Sequence, residues 1–407
     1  MKALWEILLA VVGVYVALQA TIIAILAVVA QRRKRRQTTE TLSHFDPPPT
    51  HIGSNKLKIY SYGQNLYDDM LAAIDSAQER IYFETFIWKD DEIGRAFKDR
   101  LIAKAQAGVQ VYIIFDVFGN FVVPRAFKQF PPEAHVLRFR PWANLWRLLD
   151  LRSYALDHRK LLIVDGQTGF IGGYNIGSLY AKQWRDTHLR IIGPAAQDLA
   201  QSFVDFWNRF TPKSRRIKTY HPRHFDPTIE LHGNNAARLT FPIRDMYIDA
   251  FDRAQKHIYL TNAYFVPDHT LLEALTAAAE RGVQTHVLLP WKSNHILADW
   301  VARSYFEECL RAGIHIWGYE GIMIHAKTCT IDGQWSTIGT ANLDRLSSVG
   351  NYEINVELYG RELAEQMEEL FARDQINSFE ITKEFWHKRA WYMKVSERIL
   401  APLRFML

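Results

Sequence analysis

From residue 57 to residue 116 the chain switches between two hydrophobic periods. The segment YDDMLAAIDSAQ spaces its apolar residues three and four apart, as one face of a helix requires. IYFETFIW is instead a short apolar run rich in aromatic and β-branched residues. A second helix-period stretch ends in KAQAGV, and VYIIFD follows it as another apolar run. The alternation predicts an α/β fold.

The same order returns in the second half, where AFDRAQKHIYLTNAYF matches AIDSAQERIYFETFIW and AAAERGVQTHVLLP matches AKAQAGVQVYIIFD. Matched residues lie 177 apart at Ala77 and Ala254, 174 apart at Gly108 and Gly282, and 167 apart at His158 and His325. The first copy therefore holds about ten more residues ahead of its His158 segment, within a stretch from Phe121 to Leu156 that is both aromatic and basic. A period this long is a duplicated domain and not a solenoid.

Both ends of the chain leave this pattern. Residues 7–30, ILLAVVGVYVALQATIIAILAVVA, are a 24-residue run in which Gln19 and Thr21 are the clearly polar members. As a helix it would extend about 36 Å, enough for a hydrocarbon core of about 30 Å, and it predicts a transmembrane anchor. It is longer than a signal-peptide core and no A-x-A site follows it. Arg32, Arg33, Lys34, Arg35 and Arg36 come directly after, against Lys2 before it, which places the rest of the chain on the cytoplasmic side. Residues 37–56, with Pro47, Pro48 and Pro49, read as an extended spacer. A second polar stretch carries Lys213, Arg215, Arg216 and Lys218. The last residues mix aromatic with basic side chains, which suits either a membrane interface or a helix packed on the globule. The expected organisation is an anchor with a basic flank at 1–36, a linker at 37–56, a first domain at 57–212, a linker at 213–235, a second domain at 236–378 and an amphipathic segment at 379–407.

Composition narrows the class. A chain of 407 residues exceeds one compact core, and 48% hydrophobic with 13% aromatic residues excludes a disordered or collagen-like chain. A formal net charge of +5 suits a polyanion, nucleic acid or anionic lipid, without choosing between them. Cys309 and Cys329 form no CxxC pair and are expected as buried free thiols in a reducing compartment.

The duplicated polar residues carry the chemistry. Residues 158–175 read HRKLLIVDGQTGFIGGYN and residues 325–342 read HAKTCTIDGQWSTIGTAN, with His, Lys, Asp and Asn at equal offsets. His158 and Lys160, like His325 and Lys327, are two apart at a β-type run, so each pair is expected on one face of a strand. Asp165-Gly166 and Asp332-Gly333 are hairpin-turn signals, after which Asn175 and Asn342 return toward the His and Lys of their own copy. Each Asp falls on the opposite strand phase and is expected to brace its turn or pair with a basic group. Two histidines suit displacement at phosphorus: a neutral imidazole attacks a phosphodiester while a protonated one hands a proton to the leaving oxygen. Two lysines and two asparagines supply donors for the non-bridging oxygens. Asp186 and Glu353 each lie 28 residues after the histidine of their copy, and each offers a carboxylate to orient an imidazole through Nδ1. No acidic or Cys/His cluster has metal-ligand spacing, so neither metal nor cofactor is expected.

The two segments resemble the paired HxKxxxxD signatures of the phospholipase D superfamily. ETFIWKDDEIG, GGYNIG, QWRDTHLRIIGPA, FVDFWN, NAYFVPD, ARSYFEECLRAGIHIW and NYEIN further resemble bacterial cardiolipin synthases, over roughly residues 57–405. The resemblance implies two duplicated α/β/α sandwich domains related by a pseudo-twofold axis, with one active site at their junction. It implies a phosphatidyltransferase that joins two phosphatidylglycerol molecules into cardiolipin and releases glycerol through a phosphatidyl-histidine intermediate. His158, Lys160, Asp165, His325, Lys327 and Asp332 would form the catalytic set, with His158 as nucleophile and His325 as acid and then base. Asn175, Asn342 and Thr340 would bind substrate. The expected setting is a bacterial cytoplasmic membrane, with phospholipid as the partner. Three positions depart from the pattern: Gly173 and Thr340 stand where many relatives carry Ser, and NLDRLS has Leu346 where NLDxRS has Arg.

Other readings use the same residues. In a phospholipase D, water resolves the intermediate in place of a lipid hydroxyl. A phosphodiesterase acting on nucleic acid gains nothing from an anchor, and no recognition helix or stacking motif supports it. A silent scaffold is expected to have lost one of the eight duplicated His, Lys, Asp and Asn positions, and all are present.

Overall fold

The computed structural model describes residues 45–140, 154–222, 224, 226–391 and 394, with Trp5 and Gly13 as isolated positions. The candidate anchor at 7–30 (Gly13 apart), its basic flank and most of 392–407 lie outside the described residues. Among the described residues no helix is long and apolar enough to cross a membrane.

Among the described residues eighteen strands form two large sheets and one short ribbon. The first half contributes β1 (Thr50–Ile52), β2 (Asn55–Tyr60), β3 (Arg80–Thr85), β4 (Gln110–Asp116), β5 (His135–Phe139), β6 (Leu161–Val164), β7 (Thr168–Gly172), β8 (Trp184–Arg185) and β9 (His188–Ile192). The second contributes β10 (Ile229–Gly233), β11 (His257–Asn262), β12 (Gln284–Pro290), β13 (His315–Tyr319), β14 (Met323–Ile324), β15 (Lys327–Ile331), β16 (Trp335–Gly339), β17 (Ile354–Tyr359) and β18 (Ser378–Glu380). One sheet runs β1-β2-β9-β7-β6-β3-β4-β5 and the other β10-β17-β16-β15-β11-β12-β13-β18. Seven consecutive strands match one for one, from β2 with β10 through to β5 with β13, so the sequence repeat is a repeat of sheet topology. Within each sheet the three strands nearest β4 or β12 pair in parallel, as helical crossovers require.

Local signals explain the elements. Asp91 and Asp268 begin the helices Glu92–Gln106 and His269–Glu280 by accepting backbone N–H groups of the first turn. Gly108 and Gly282 follow these helices with φ of 94° and 93°, a conformation that favours glycine. The two DG pairs form the expected turns. Asp165 and Gly166 have φ of 52° and 66°, Asp332 and Gly333 have 56° and 66°, and Gln167 and Gln334 close each turn onto Val164 and Ile331.

The halves pack by exchange. Helix Ala195–Phe210 lies against β10 of the second half, and helix Arg361–Ile376 against β1 of the first. One apolar cluster there unites Ile171, Phe203 and Trp207 with Ile338, Val356 and Leu363. Arg185 of the first half donates to both carboxylate oxygens of Asp374 of the second, at 3.0 and 2.8 Å, with both side chains buried.

The boundaries move outward from those read in sequence. Thr50–Ile52 and Asn55–Tyr60 are already a strand pair, and Phe45 is buried, so the first domain begins inside the expected 37–56 linker. Gln366 of the second half donates to Pro48 O, which docks the proline run on the body. Strand β10 draws 229–233 out of the expected 213–235 linker. At the other end β18 and helix Lys383–His387 join the second domain, with Ile381 and Trp386 buried in its core, so the first part of the 379–407 segment packs on the globule. Cys309 and Cys329 are free and buried.

Candidate active site

Each histidine reaches the junction on a backbone pairing made with the other half. Strand β8 pairs in parallel with β14, and His325 N, one residue past β14, donates to Arg185 O at 2.6 Å. Likewise Asp157 bridges to Tyr352, and His158 N donates to Tyr352 O at 3.0 Å. The next residues are Asp186 after Arg185 and Glu353 after Tyr352. Each pairing therefore delivers a carboxylate beside the histidine of the opposite half. His158 Nδ1 lies 2.9 and 3.0 Å from the two Glu353 oxygens, and His325 Nδ1 lies 2.6 Å from Asp186 Oδ2. The equal 28-residue offsets suggest carboxylates serving their own copy; the fold exchanges them, because each histidine–carboxylate contact forms where strands of both halves pair.

The other sequence candidates separate into two groups. Lys160 and Lys327 are buried beside the histidines: Lys160 Nζ donates to His158 O at 2.6 Å, whereas Lys327 Nζ donates to His325 O and lies 2.9 Å from His325 Nδ1. His158 and Lys160 both precede β6 and His325 precedes β15, so neither pair shares a strand as expected, and Lys327 alone lies in one. Asn175 Oδ1 accepts from Ile87 N at 3.1 Å, and Asn342 is buried with no partner on Oδ1 among the described residues.

Asp165 and Asp332, counted by their signature in the catalytic set, sit at the far ends of β6 and β15. Asp165 accepts the N–H groups of Gln78, Glu79 and Arg80, and Asp332 those of Gln255, Lys256 and His257, all at 2.8 to 2.9 Å. They lash each motif hairpin to the start of the neighbouring strand. Thr340, expected to bind substrate, is fully buried and gives its hydroxyl to Glu353 Oε2 at 2.5 Å. At the matched position a Cβ on Gly173 would lie 2.1 Å from Asp186 Oδ1, so the missing hydroxyl there leaves room for the carboxylate.

Burial and the two lysines set the electrostatics. Burial lowers both histidines, His158 well below the ordinary imidazole value and His325 to about 3, with the cations of the site adding to it. Burial brings Lys160 down to about 7 and Lys327 to about 8. The carboxylates diverge. Burial pushes Glu353 up to about 8, with Lys160 opposing it, whereas for Asp186 the opposing pull of Lys327 and His325 outweighs burial and holds it below the usual range.

A buried ionic group beside His158 was not singled out from sequence. Arg159 Nη2 stands 3.2 Å from Glu84 Oε2, and Asp116 Oδ2 accepts from Asp157 N at 3.0 Å. Burial raises Glu84, Asp157 and Asp116, the last to about 6. The matched second-half positions are Thr261, Pro290, Ile324 and Ala326, all uncharged. A position-by-position comparison of the two copies would have exposed this break. Aromatic rings wall the histidines, Phe86 at 4.9 Å from His158 and Trp184 at 5.0 Å from His325. Spacing suggested no metal cluster, but Glu230, His232 and Glu357 meet on β10 and β17, where Glu357 also accepts from Trp335 and Tyr359. Glu357 lies four residues along the chain from Glu353.

Fold and site together define a duplicated α/β protein with one two-histidine centre at its junction, the arrangement of the phospholipase D superfamily. A family profile described as "Cardiolipin synthase, PLD-like domain" matches residues 70–207 and 247–375. The chain belongs to that family. The major cardiolipin synthase of Bacillus subtilis is 32% identical over 368 residues, covering 86% of this chain and 75% of that protein. A cardiolipin synthase of Listeria monocytogenes is 33% identical with the same coverage. The solved phosphatidylserine synthase of Haemophilus influenzae shares the fold, with a TM-score of 0.66 at 14% identity, covering 93% of this chain and 97% of that one.

Proposed function

We propose that the protein transfers a phosphatidyl group from one phosphatidylglycerol to another, forming cardiolipin and releasing glycerol. The observation that carries this reading is the pair of exchanged imidazole and carboxylate contacts, flanked by two buried lysines, in a chain of the cardiolipin synthase family.

The two pairs differ in proton content, which assigns their roles. Asp186 is held ionised beside Lys327, so it accepts a hydrogen bond from the Nδ1–H of His325 and leaves Nε2 with a free lone pair. Glu353, pushed up to about 8, keeps a proton at neutral pH, and the His158 pair then presents an N–H at Nε2. On this reading His325 attacks the phosphorus and His158 protonates the glycerol oxygen as the P–O bond breaks, which reverses the order the sequence resemblance implies. The phosphatidyl group is then held on His325 by a P–N bond. The His158 pair next takes the proton from a hydroxyl of the second phosphatidylglycerol, whose oxygen attacks phosphorus, breaks the P–N bond and frees His325. Lys160, Lys327 and the side-chain amides of Asn175 and Asn342 face the non-bridging oxygens, and the phosphate charge in turn favours the charged lysines. Residues 7–30 anchor the body to a bacterial cytoplasmic membrane with the site on the cytoplasmic side, a reading supported by their apolar length and basic flank.

The test is product identification. Purified full-length protein incubated with phosphatidylglycerol vesicles and EDTA should yield cardiolipin and glycerol by mass spectrometry. Phosphatidic acid in their place would make the protein a hydrolase, and absence of turnover would refute the transfer reading.

A further inference from the structure

The loop at residues 117–124, directly after β4, has a rigid base and an apolar tip. Asp116 is fully buried; its Oδ1 accepts from Phe118 N and Gly119 N at 2.7 and 2.9 Å, and its Oδ2 holds the backbone of Asp157, the residue before His158. Asn120, 1% exposed, accepts from Trp88 N and donates to Phe86 O and Asp116 O, at 2.7 to 2.8 Å. Phe86 is the residue whose ring stands against His158. Gly119 comes so close to this wall that a Cβ would lie 2.5 Å from Phe86 O.

The tip points the other way. Phe121 and Val122 are 81% and 78% exposed, while Val123 and Phe127 behind them are buried. Cations flank the tip: Lys128 Nζ donates to Asn120 O at 2.9 Å, and Arg138 donates to Lys128 O at 2.8 Å. Burial and the nearby charges of Arg125 and Arg138 all act on Lys128, so the three form one positive cluster. At the matched place after β12 the second half runs into helix Ile296–Arg303, and among its described residues from 291 to 304 no large apolar side chain is exposed. Among the described residues the feature belongs to the first half, within its surplus stretch.

We propose that this loop seats the catalytic end on an anionic phospholipid surface: Phe121 and Val122 enter the acyl region while Arg125, Lys128 and Arg138 meet the headgroup phosphates. An apolar tip ringed by cations is complementary to an anionic bilayer. The inference rests on the phospholipid reading above, because buried histidines, with side chains 12% and 6% exposed, require that a bilayer lipid be met at the mouth of the site. The clamped base of the loop fixes the distance from that surface to His158.

The test uses the full-length protein with Phe121→Cys, labelled with an environment-sensitive fluorophore; Cys309 and Cys329 are buried and do not compete. In phosphatidylcholine vesicles containing phosphatidylglycerol the label is expected to shift to the blue and to be quenched by brominated acyl chains. The double variant Phe121→Ser/Val122→Ser is expected to lose about tenfold or more in turnover of vesicle phosphatidylglycerol, yet to match wild type within about twofold on monomeric dihexanoyl phosphatidylglycerol. A label that stays water-like overturns the proposal, as does equal loss on both substrates. A blue shift without bromine quenching places a protein partner on the tip and also overturns it. A wild type that transfers neither substrate would refute the transfer reading, and the label would still decide whether the tip enters lipid.

Discussion

Glu353 and Asp186 answer to the histidine of the opposite half, and a substrate whose leaving group needs no acid tests that exchange residue by residue. With a phosphatidyl p-nitrophenyl ester, His158→Ala and Glu353→Gln should retain a stoichiometric burst of p-nitrophenol. His325→Ala and Asp186→Asn should lose it by about 10²-fold or more. Retention by His325→Ala and Asp186→Asn instead would restore the order the resemblance implies and leave the exchange intact. Grouping of His158 with Asp186 would contradict the exchange. The pH profile follows from the same groups. His325, lowered to about 3, stays neutral and nucleophilic on the acid side. The Glu353 proton, with a value near 8, and the lysine charges, near 7 and 8, are lost as pH rises. Hence kcat/KM should be level from about pH 5 to about pH 6 and fall from about pH 7 upward. A loss on the acid side centred near the ordinary histidine value of 6.5 would contradict this. At this scale the His, Lys, Asn and carboxylate identities were legible from equal offsets. The turn-bracing work of Asp165 and Asp332 was legible from strand phase. The partner of each carboxylate was not, since an offset within one copy carries no information about a pairing between copies. The contact of Thr340 with Glu353 was not legible either, because its motif position says nothing of the buried carboxylate beneath it.

Strand β8 and helix Arg361–Ile376 come from different halves, yet both meet at the buried Arg185–Asp374 pair. Removing one partner strands a buried charge. Arg185→Ala should therefore cost about 3–5 kcal/mol in denaturant unfolding, whereas Arg185→Met with Asp374→Leu should recover most of that loss. A single variant as stable as wild type would show that the pair does not tie the halves. Elements with strong periodicity, such as the helix Gly63–Ser76 and the motif hairpins, were readable from the chain. Short edge strands were not: β1, β10 and β18 span three, five and three residues, too few to carry a period, and the partners of β10 and β18 lie far away in sequence. That is why the domain boundaries fell inside segments that looked like linkers.

At the level of the whole molecule, duplication is the organising fact. The repeat in sequence announced two equivalent sheets, and the structure adds that neither half completes a site: each histidine is delivered by a pairing with the other half and held by its carboxylate. The buried group around Glu84 and the exposed loop at Phe121 then make the halves unequal, as an acid and a nucleophile must be. If there is one site built from both halves, each histidine is indispensable to every turnover. The deciding measurement is the rate of phosphatidyl transfer by His158→Ala, by His325→Ala and by their mixture. Each variant should fall by about 10³-fold or more, and mixing should restore nothing. Either variant retaining about half the wild-type rate would mean two independent sites and would contradict the account.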